Sequence, residues 1–555
     1  MSKGVESQVS DLDPGIFSVA PNNLFLTVTD TGKGFYVWKK DGDDNSRELV
    51  PFDHEFHICS GTTLTVGRNS TPKINSICLN HRGINRVQFE LYSVVYDSEG
   101  EIAPMVYVND RSTAGIKVNG KPIGLETGTA RPPLLLNNGD EIQIFPYWKF
   151  TVHLSGLQHS SLPLVPAQEA DLFCDRYKIF DRVLGGGGQG RVHLALDVRR
   201  NRQLVCKIFD LDHWRKLGKN TAHENFQRNL REVDTLAKLS HPGILTFEYA
   251  FRSERKVFLF TELAAGGDLH SKIHSENPPG EEEMKFIMHE LVRTIKYLHN
   301  KLDLVHRDVK PENIFFASGP HTRTRVFLGD LGCAKATTWG RMNSNVGTSI
   351  YKAPEVHVKR QPIGNYGKEI DIWSLGITLL YAMVSQEHLD IDSLSRMSQE
   401  DIDQQLYLMF DRSLLRSTFS VQAQDFVRQC LKINPNERMT ASQARCHEWI
   451  RVGKRTLNEW TELRDSLWRK EHKINPPMEL LPDLLYETRV QQPETTPTTT
   501  GPDPTDLERK RPVECLDQYF GLEESPFFPS SKPEASADTK ASKKAKTAAG
   551  HSTAS

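Results

Sequence analysis

His306-Arg307-Asp308-Val309-Lys310-Pro311-Glu312-Asn313 is the stretch that decides how this chain is read. It brings a carboxylate, an amine and an amide close together, at Asp308, Lys310 and Asn313. Working outward, other chemically specialised runs fall on either side. Upstream lies Leu184-Gly185-Gly186-Gly187-Gly188-Gln189-Gly190-Arg191-Val192, between two strand-like segments, Tyr177–Leu184 and Arg191–Asp197. Glycines at Gly185, Gly187 and Gly190 allow a backbone to lie close against phosphates with its N–H groups turned inward. Lys207 follows on the next strand, in Leu204-Val205-Cys206-Lys207, and a carboxylate, Glu232, sits in Leu230-Arg231-Glu232-Val233. Downstream come Asp330-Leu331-Gly332 and the run from Val346 through Gly347-Thr348-Ser349-Ile350-Tyr351-Lys352-Ala353-Pro354 to Glu355. Asp371-Ile372-Trp373-Ser374-Leu375-Gly376 and Arg438 close the series.

In this order the runs resemble a protein kinase, which implies a two-lobed α+β fold using ATP and Mg2+. The resemblance implies that Asp308 accepts the proton of a substrate hydroxyl and that Lys310 neutralises the transferred phosphoryl group. Asn313 and Asp330 would hold magnesium, a hard ion that takes oxygen ligands. Leu184, Gly185, Gly187, Gly190, Val192 and Val205 would enclose the nucleotide. Lys207 would meet the phosphates and pair with Glu232. Thr261 would gate the pocket behind adenine, and Glu262-Leu263-Ala264 would be the hinge that holds the adenine edge. Lys310 in its loop suggests serine or threonine as the acceptor. Val205, where alanine is commoner, narrows the pocket. Glu355 and Arg438 are expected as a buried structural pair. Cys333 is either a reactive thiol or, as favoured, a buried inert one. The Asp308–Asp330 segment is slightly long, so a surface insertion is placed at Ser318–Arg325. No catalytic run is missing, so an active enzyme is expected.

Substrate preference rests on two carboxylates. Glu312 and Asp268, in Gly266-Gly267-Asp268-Leu269, stand where kinases that favour basic peptides carry acids. Such charges would attract arginine N-terminal to the acceptor. For Asp268 a second reading stays open, a cap on the helix that starts there. Thr348 would line the acceptor pocket. Thr337, Thr338 and Ser344 lie in the activation segment, where phosphorylation would order it.

The first 160 or so residues form a separate block. Short strands are expected at Asn23–Thr29, Gly34–Lys39, Leu64–Val66, Val87–Tyr92, Met105–Asn109, Ile116–Val118, Glu141–Phe145 and Lys149–Leu154, separated by Gly, Asn and Asp turns. Their spacing predicts an all-β sandwich. Val66-Gly67-Arg68, Ile84-Asn85-Arg86-Val87-Gln88-Phe89 and Asp110-Arg111-Ser112-Thr113-Ala114-Gly115 resemble a forkhead-associated domain. The resemblance implies that loops at one end grip phosphothreonine, using Arg68, Asn85, Arg86 and Thr113. Asn85 replaces a usual Ser, Gln88 a His and Ala114 an Asn. Asn85 can still donate a hydrogen bond, and Ala114 cannot.

A forkhead-associated domain directly before a serine/threonine kinase resembles the checkpoint kinase two family, including its fungal relatives and meiosis-specific paralogues. The resemblance spans roughly residues 23 to 451. It implies a nuclear kinase responsive to DNA damage or meiotic recombination, activated by phosphorylation in trans. It also implies a phosphothreonine-bearing adaptor or a second copy as partner, and possible upstream kinases. Only Ser7-Gln8 precedes the sandwich as an upstream-kinase site. Two other function classes compete: a phosphothreonine-binding scaffold with little kinase activity, and a small-molecule kinase. The Gly347–Glu355 segment, which seats a protein substrate, argues against the second.

Composition agrees. Lys and Arg number 69 against 71 Asp and Glu, so no global basic field recommends direct nucleic-acid binding. The eight cysteines show no Cys-x-x-Cys pair, which suggests a reducing interior. No apolar run reaches membrane-spanning length, and the polar start has no signal-peptide core. The expected organisation is a flexible N-terminus at 1–22, the forkhead-associated domain at 23–155, a linker at 156–174 and the kinase at 175–451. A helical extension at 452–490 and a disordered tail at 491–555 follow. In the tail, Arg509-Lys510-Arg511-Pro512 and Lys540 through Lys546 are candidate nuclear import signals. The aromatic patch Tyr519, Phe520, Phe527 and Phe528 is a candidate docking segment.

Overall fold

The computed structural model describes residues 24–30, 37–40, 47–50, 55–57, 63–68, 77–79, 82–94, 104–123, 132–144, 148–154, 173, 176–187, 190–210, 219–252, 256–275, 277–319, 324–331, 335–336, 349–357, 367–384, 394–410, 419–451, 461–462, 465, 468 and 479–480. In the N-terminal block thirteen strands are described: β1 Leu24–Asp30, β2 Val37–Lys40, β3 Arg47–Val50, β4 Glu55–His57, β5 Thr63–Gly67, β6 Ile77–Cys78, β7 Phe89–Val94, β8 Met105–Asp110, β9 Lys117–Val118, β10 Lys121–Pro122, β11 Leu134–Leu135, β12 Glu141–Ile144 and β13 Trp148–Leu154. They form two sheets, in the orders β10-β9-β12-β13-β1-β4 and β11-β8-β7-β5-β6-β2-β3. Strand β13 alternates buried and half-buried residues along its length, as a strand with one face on a core must. Between the sheets lie Val66, Phe89, Leu91, Val106, Val108, Ile142, Phe150 and Val152, all essentially without solvent contact. The eight expected strands are present within a few residues. The sheets add β3, β4, β6, β10 and β11, pieces too short to show a period of two.

Strands β14 Tyr177–Gly187, β15 Gly190–Asp197, β16 Arg202–Asp210, β17 Phe247–Arg252 and β18 Lys256–Glu262 build a second antiparallel unit, joined by helix α1 Lys219–Lys238. The glycine run is the β14–β15 turn, with Gly187 opposite Gly190. Lys207 on β16 stands opposite Val192 on one side and Leu259 on the other.

The larger lobe follows as α2 Leu269–Ile273, α3 Glu281–Lys301, β19 Leu304–Val305, β20 Ile314–Phe316, β21 Val326–Leu328, β22 Lys335–Ala336, α4 Pro354–His357, α5 Glu369–Met383, α6 Gln399–Met409, α7 Val421–Cys430, α8 Ala441–Cys446 and α9 Glu448–Arg451. Helix α5 buries thirteen of its fifteen residues, including Trp373 and Leu375, and is the lobe's axis. Reciprocal capping boxes start α6 at Ser398 and α8 at Thr440, each satisfying otherwise orphaned N–H groups. Among the described residues no helix is long and apolar enough to cross a membrane.

Two expectations need correction. The segment 452–490 is not helical throughout. Glu479–Leu480 forms strand β23, parallel to Phe251–Arg252 at the edge of the small-lobe sheet. Backbone groups on that open edge invite pairing, which local helix propensity does not reveal. Second, Arg325 is not part of a surface excursion. Its guanidinium folds inward onto Glu262 and Pro242 O.

Candidate active site

The site forms where β18, the β19–β20 loop and the residues after β21 converge. His306 N and Arg307 N each donate to the Asp371 carboxylate at 2.8 Å, which ties the loop to helix α5. His299 Nε2 adds a third bond to Asp371 at 2.8 Å. Burial pushes the Asp371 pKa up, but the His299 bond and charge, with His306 and the Arg307 N–H, bring it below the usual carboxylate value. Arg307 is held at φ +72°, a left-handed conformation in which side chains are rarely found outside constrained sites.

So anchored, the loop presents its chemistry together. Lys310 Nζ lies 3.1 Å from Asp308 Oδ2. Asn313 Nδ2 donates to Asp308 O at 2.8 Å and to Asp308 Oδ2 at 2.9 Å. Asp330, also at positive φ, is brought alongside by Gly329, whose N–H donates to Asn313 O at 2.9 Å. His306 Nε2 meets Gly329 O at 3.1 Å, a contact it makes only as donor. A cavity beside Asp308 is lined by Tyr351, Lys352, Ala353 and Val356.

Above the loop, Lys207 Nζ is 3.0 Å and 3.3 Å from the two Glu232 oxygens. Leu184, Val192 and Val205 share one apolar surface with Leu263 of the hinge. Thr261 is buried, opposite Val205 on the neighbouring strand. Ala264 O receives a bond from Gly267 N, so the hinge leaves as a tight turn. Glu262 points away from the cleft: Oε1 accepts from Thr246 N at 2.7 Å and Oε2 pairs with Arg325. Burial raises its pKa, and the Arg325 charge more than offsets this, leaving it below the ordinary value.

Asp268 caps α2, accepting from Ser271 N at 2.7 Å, so the capping reading holds for its geometry. Burial, joined by the Glu312 charge nearby, pushes its pKa up to about 6. Glu312 is also raised by burial, and its Oε2 is buried with no hydrogen-bond partner among the described residues. Arg438 grips both oxygens of Glu355 at 2.7 and 3.1 Å, as expected. Thr337, Thr338, Ser344, Thr348 and Cys333 lie outside the described residues, as do Ser7 and the tail clusters.

In the N-terminal sandwich, Arg68 N donates to Asn85 O at 2.8 Å, and Asn85 Nδ2 donates to Thr113 Oγ1 at 3.2 Å. Three of the four expected phosphate-binding residues thus meet at one end of the sandwich, and Arg86 is exposed beside them. Gln88 is buried, and its Oε1 accepts from Asn85 N at 2.9 Å. It therefore braces the loop that carries Asn85. Nothing in the sequence pointed to His299 or Thr246, or to the inward turn of Arg325. A buried arginine is betrayed by its partner, and that partner is distant in the chain.

The arrangement defines a protein kinase attached to a phosphopeptide-type β-sandwich. Residues 179–450 match the protein kinase domain family and residues 64–145 the FHA domain family. The meiosis-specific serine/threonine-protein kinase mek1 of Schizosaccharomyces pombe is 30% identical over 384 residues, covering 68% of this chain and 79% of that one. The serine/threonine-protein kinase cds1 of the same organism is 28% identical over 423 residues, 73% of this chain and 85% of that one. A crystal structure of Rad53 1-466 in complex with AMP-PNP aligns over 75% of this chain and 100% of its own at 21% identity, with a TM-score of 0.38, too loose a likeness to carry an argument. The chain belongs to the family of serine/threonine protein kinases that carry an FHA domain.

Proposed function

We propose that the chain transfers the γ-phosphate of ATP to serine and threonine hydroxyls of proteins with arginine N-terminal to the acceptor, in nuclear checkpoint or meiotic recombination signalling. The observation that carries the arginine preference is Glu312, a carboxylate on the catalytic loop whose buried Oε2 has no hydrogen-bond partner among the described residues. A guanidinium would supply the missing donors bidentately. Asp268 stands close enough to raise the local negative charge.

In this reading Asp308 takes the acceptor proton, and Lys310 compensates charge on the moving phosphoryl group. Asn313 gives its N–H2 to Asp308, which leaves its carbonyl oxygen for magnesium. Among the described residues no trio of His, Cys, Asp or Glu is arranged around a metal. Mg2+ suits such a site, since it takes one or two protein oxygens together with substrate phosphates. Asn313 and Asp330 would hold it there, and the ion would neutralise phosphate charge. Lys207, fixed by Glu232, would orient the phosphates. Leu184, Gly185, Gly187, Gly190, Val192 and Val205 would enclose the base and phosphates.

Residues 23–155 and 175–451 are the two working domains of this scheme. The first would hold a phosphothreonine-bearing adaptor or a second copy through Arg68, Asn85, Arg86 and Thr113, which raises local concentration. An upstream kinase or a neighbouring copy would then phosphorylate Thr337, Thr338 or Ser344. The meiosis-specific relative and the family resemblance support the nuclear setting.

The test is phosphorylation by the full chain, with ATP and Mg2+, of matched peptides with and without arginine upstream. Activity should favour arginine and vanish in Asp308→Ala. Equal rates on both peptides would end the arginine reading, and wild-type activity in Asp308→Ala would end the assignment of the base.

A further inference from the structure

We propose that the FHA sheet is an intramolecular plug: its β7–β8–β11 face seats on the mouth of the adenine pocket and must leave before nucleotide can enter. The proposal rests on the reading of that cleft as the ATP site.

The first sign is a burial pattern. An antiparallel sandwich strand with one wet face alternates buried and exposed residues. Strand β8 is buried at all six positions. Val106 and Val108 enter the sandwich core, while Met105 and Tyr107 belong to a different cluster. On β7, Phe89 and Leu91 face the core, and Tyr92 and Val94 join Met105 and Tyr107. The outer face is dry because the kinase covers it.

The cover is the rim of the nucleotide cleft. Tyr92, Val94, Met105, Tyr107 and Leu135 form one apolar cluster with Leu184, Leu194 and Ala265, against which Val192, Val205 and Leu263 also pack. Leu184, Val192 and Val205 are the side chains an adenine would lie between. Val94 approaches the hinge exit so closely that a Cβ on Gly267 would sit 2.7 Å from Val94 Cγ1. Burying this surface against the FHA sheet competes with burying it against a base.

Polar contacts fasten the plug on both sides of the hinge. Tyr92 Oη donates to Ala265 O at 3.1 Å and accepts from Gly319 N at 3.2 Å. On the small lobe, Gln203 Nε2 donates to Leu135 O at 2.8 Å and Gln203 Oε1 accepts from Leu135 N at 2.7 Å. Arg182 Nη1 donates to Leu136 O and Asn137 Oδ1 at 2.8 and 2.7 Å. Kinase lobes must move apart for nucleotide exchange, and these bonds tie the FHA sheet to both.

The contact is also built to come apart. Arg182 is buried, with Asp140 as the opposite charge that reaches it, and its Nη2 has no hydrogen-bond partner among the described residues. A buried guanidinium with an unbonded N–H group costs stability, so separation regains its hydration. The phosphopeptide loops lie at the other end of β7 and β8, beyond the Phe89–Asp110 pair, whereas the kinase meets the Val94–Met105 end. Three residues of strand separate Phe89 from Tyr92, the nearest residue of β7 that meets the kinase, about 10 Å. Phosphothreonine capture therefore does not compete for the plug surface.

The experiment is stopped-flow binding of a fluorescent ADP analogue with Mg2+ to the full chain, wild type, Val94→Asp and Gln203→Ala. Hydrogen exchange over residues 105–108 and 263–267 reports whether the contact has opened. Both variants should open it, raise the association rate and tighten Kd by about tenfold, because a cleft that is only fractionally open binds weakly in proportion. The dissociation rate should stay the same. If the contact opens but association is unchanged, or if only dissociation speeds up, the sheet is a brace and the plug is wrong, while the kinase reading stands. No analogue binding by any of the three proteins overturns both. Val94→Asp can fail to fold, and Gln203→Ala, on the half-buried kinase side, then decides the matter.

Discussion

Arg325 closes a buried ion pair with Glu262 behind the hinge, fastening the residues after β20 to the segment that joins the two lobes. Glu262 is fully enclosed and also holds Thr246 N, so the pair locks three chain segments. Arg325→Ala would leave the buried Glu262 charge with only Thr246 and the Arg202 charge to offset it. We expect a loss of about 3–5 kcal/mol in urea unfolding of the full chain. The double variant Arg325→Met, Glu262→Gln should recover much of it. Because the Glu262 pKa is depressed in the fold, its contribution is present above the unfolded value of 4.5 and is lost as pH falls through the folded pKa. An Arg325→Ala protein as stable as wild type at neutral pH would show that the pair contributes nothing.

Glu232→Gln probes the Lys207 pair. The amide keeps one acceptor for Lys207 but removes the charge that holds its ammonium at 3.0 Å. We expect kcat/KM for peptide phosphorylation to fall about ten- to a hundredfold, the worth of a hydrogen bond between charged groups. Thermal stability should change little. An unchanged kcat/KM would mean that the Lys207–Glu232 contact does not orient phosphates.

Asp268 gives a pH signature. Its pKa is pushed up to about 6, chiefly by burial, so the carboxylate is charged at neutral pH and neutral in mild acid. KM for an arginine-containing peptide should therefore rise as pH drops from about 7.5 to about 5.5, and Asp268→Asn should flatten that rise. The asparagine still caps α2, so folding is retained. Stability moves the opposite way: a carboxyl with a raised folded pKa favours the fold at low pH, and that advantage is lost as pH climbs from 3.8 toward 6. Identical KM profiles for the two proteins would exclude Asp268 from peptide recognition.

Much of the kinase was legible because its chemistry demands particular residues at short spacings. Asp308, Lys310 and Asn313 had to share a loop, and Lys207 and Glu232 had to stand within reach of each other, so local runs announced them. Glu355 with Arg438 was readable for the same reason. Arg325 was not, since nothing in Ser318–Arg325 says that one guanidinium turns inward to a strand 63 residues earlier. The strand at Glu479–Leu480 was hidden because an edge pairing depends on the edge, not on the segment that pairs. The dry outer face of β7 and β8 was hidden as well. Tyr92, Val94, Met105 and Tyr107 look like ordinary strand residues until the kinase is seen covering them.

Gln88 offers the sharpest test of the FHA loops. Its Oε1 is the partner of the Asn85 N–H, at 2.9 Å, with Gln88 buried and Asn85 half-buried. Asn85 in turn meets Thr113 and, through its carbonyl, Arg68 N. Gln88→Ala would leave a backbone donor unsatisfied and loosen all three. We expect about 1–3 kcal/mol of destabilisation of the sandwich, seen as a lower first transition in thermal unfolding of the full chain. Calorimetric affinity for phosphothreonine peptides should weaken in parallel. Gln88→Glu keeps an acceptor at the same reach and should restore most of the binding. Arg68→Ala, by contrast, should abolish phosphate-dependent binding with little change in unfolding, since its side chain is exposed. If Gln88→Ala binds as tightly as wild type, the Asn85 loop is held by its other bonds and Gln88 is only filling space.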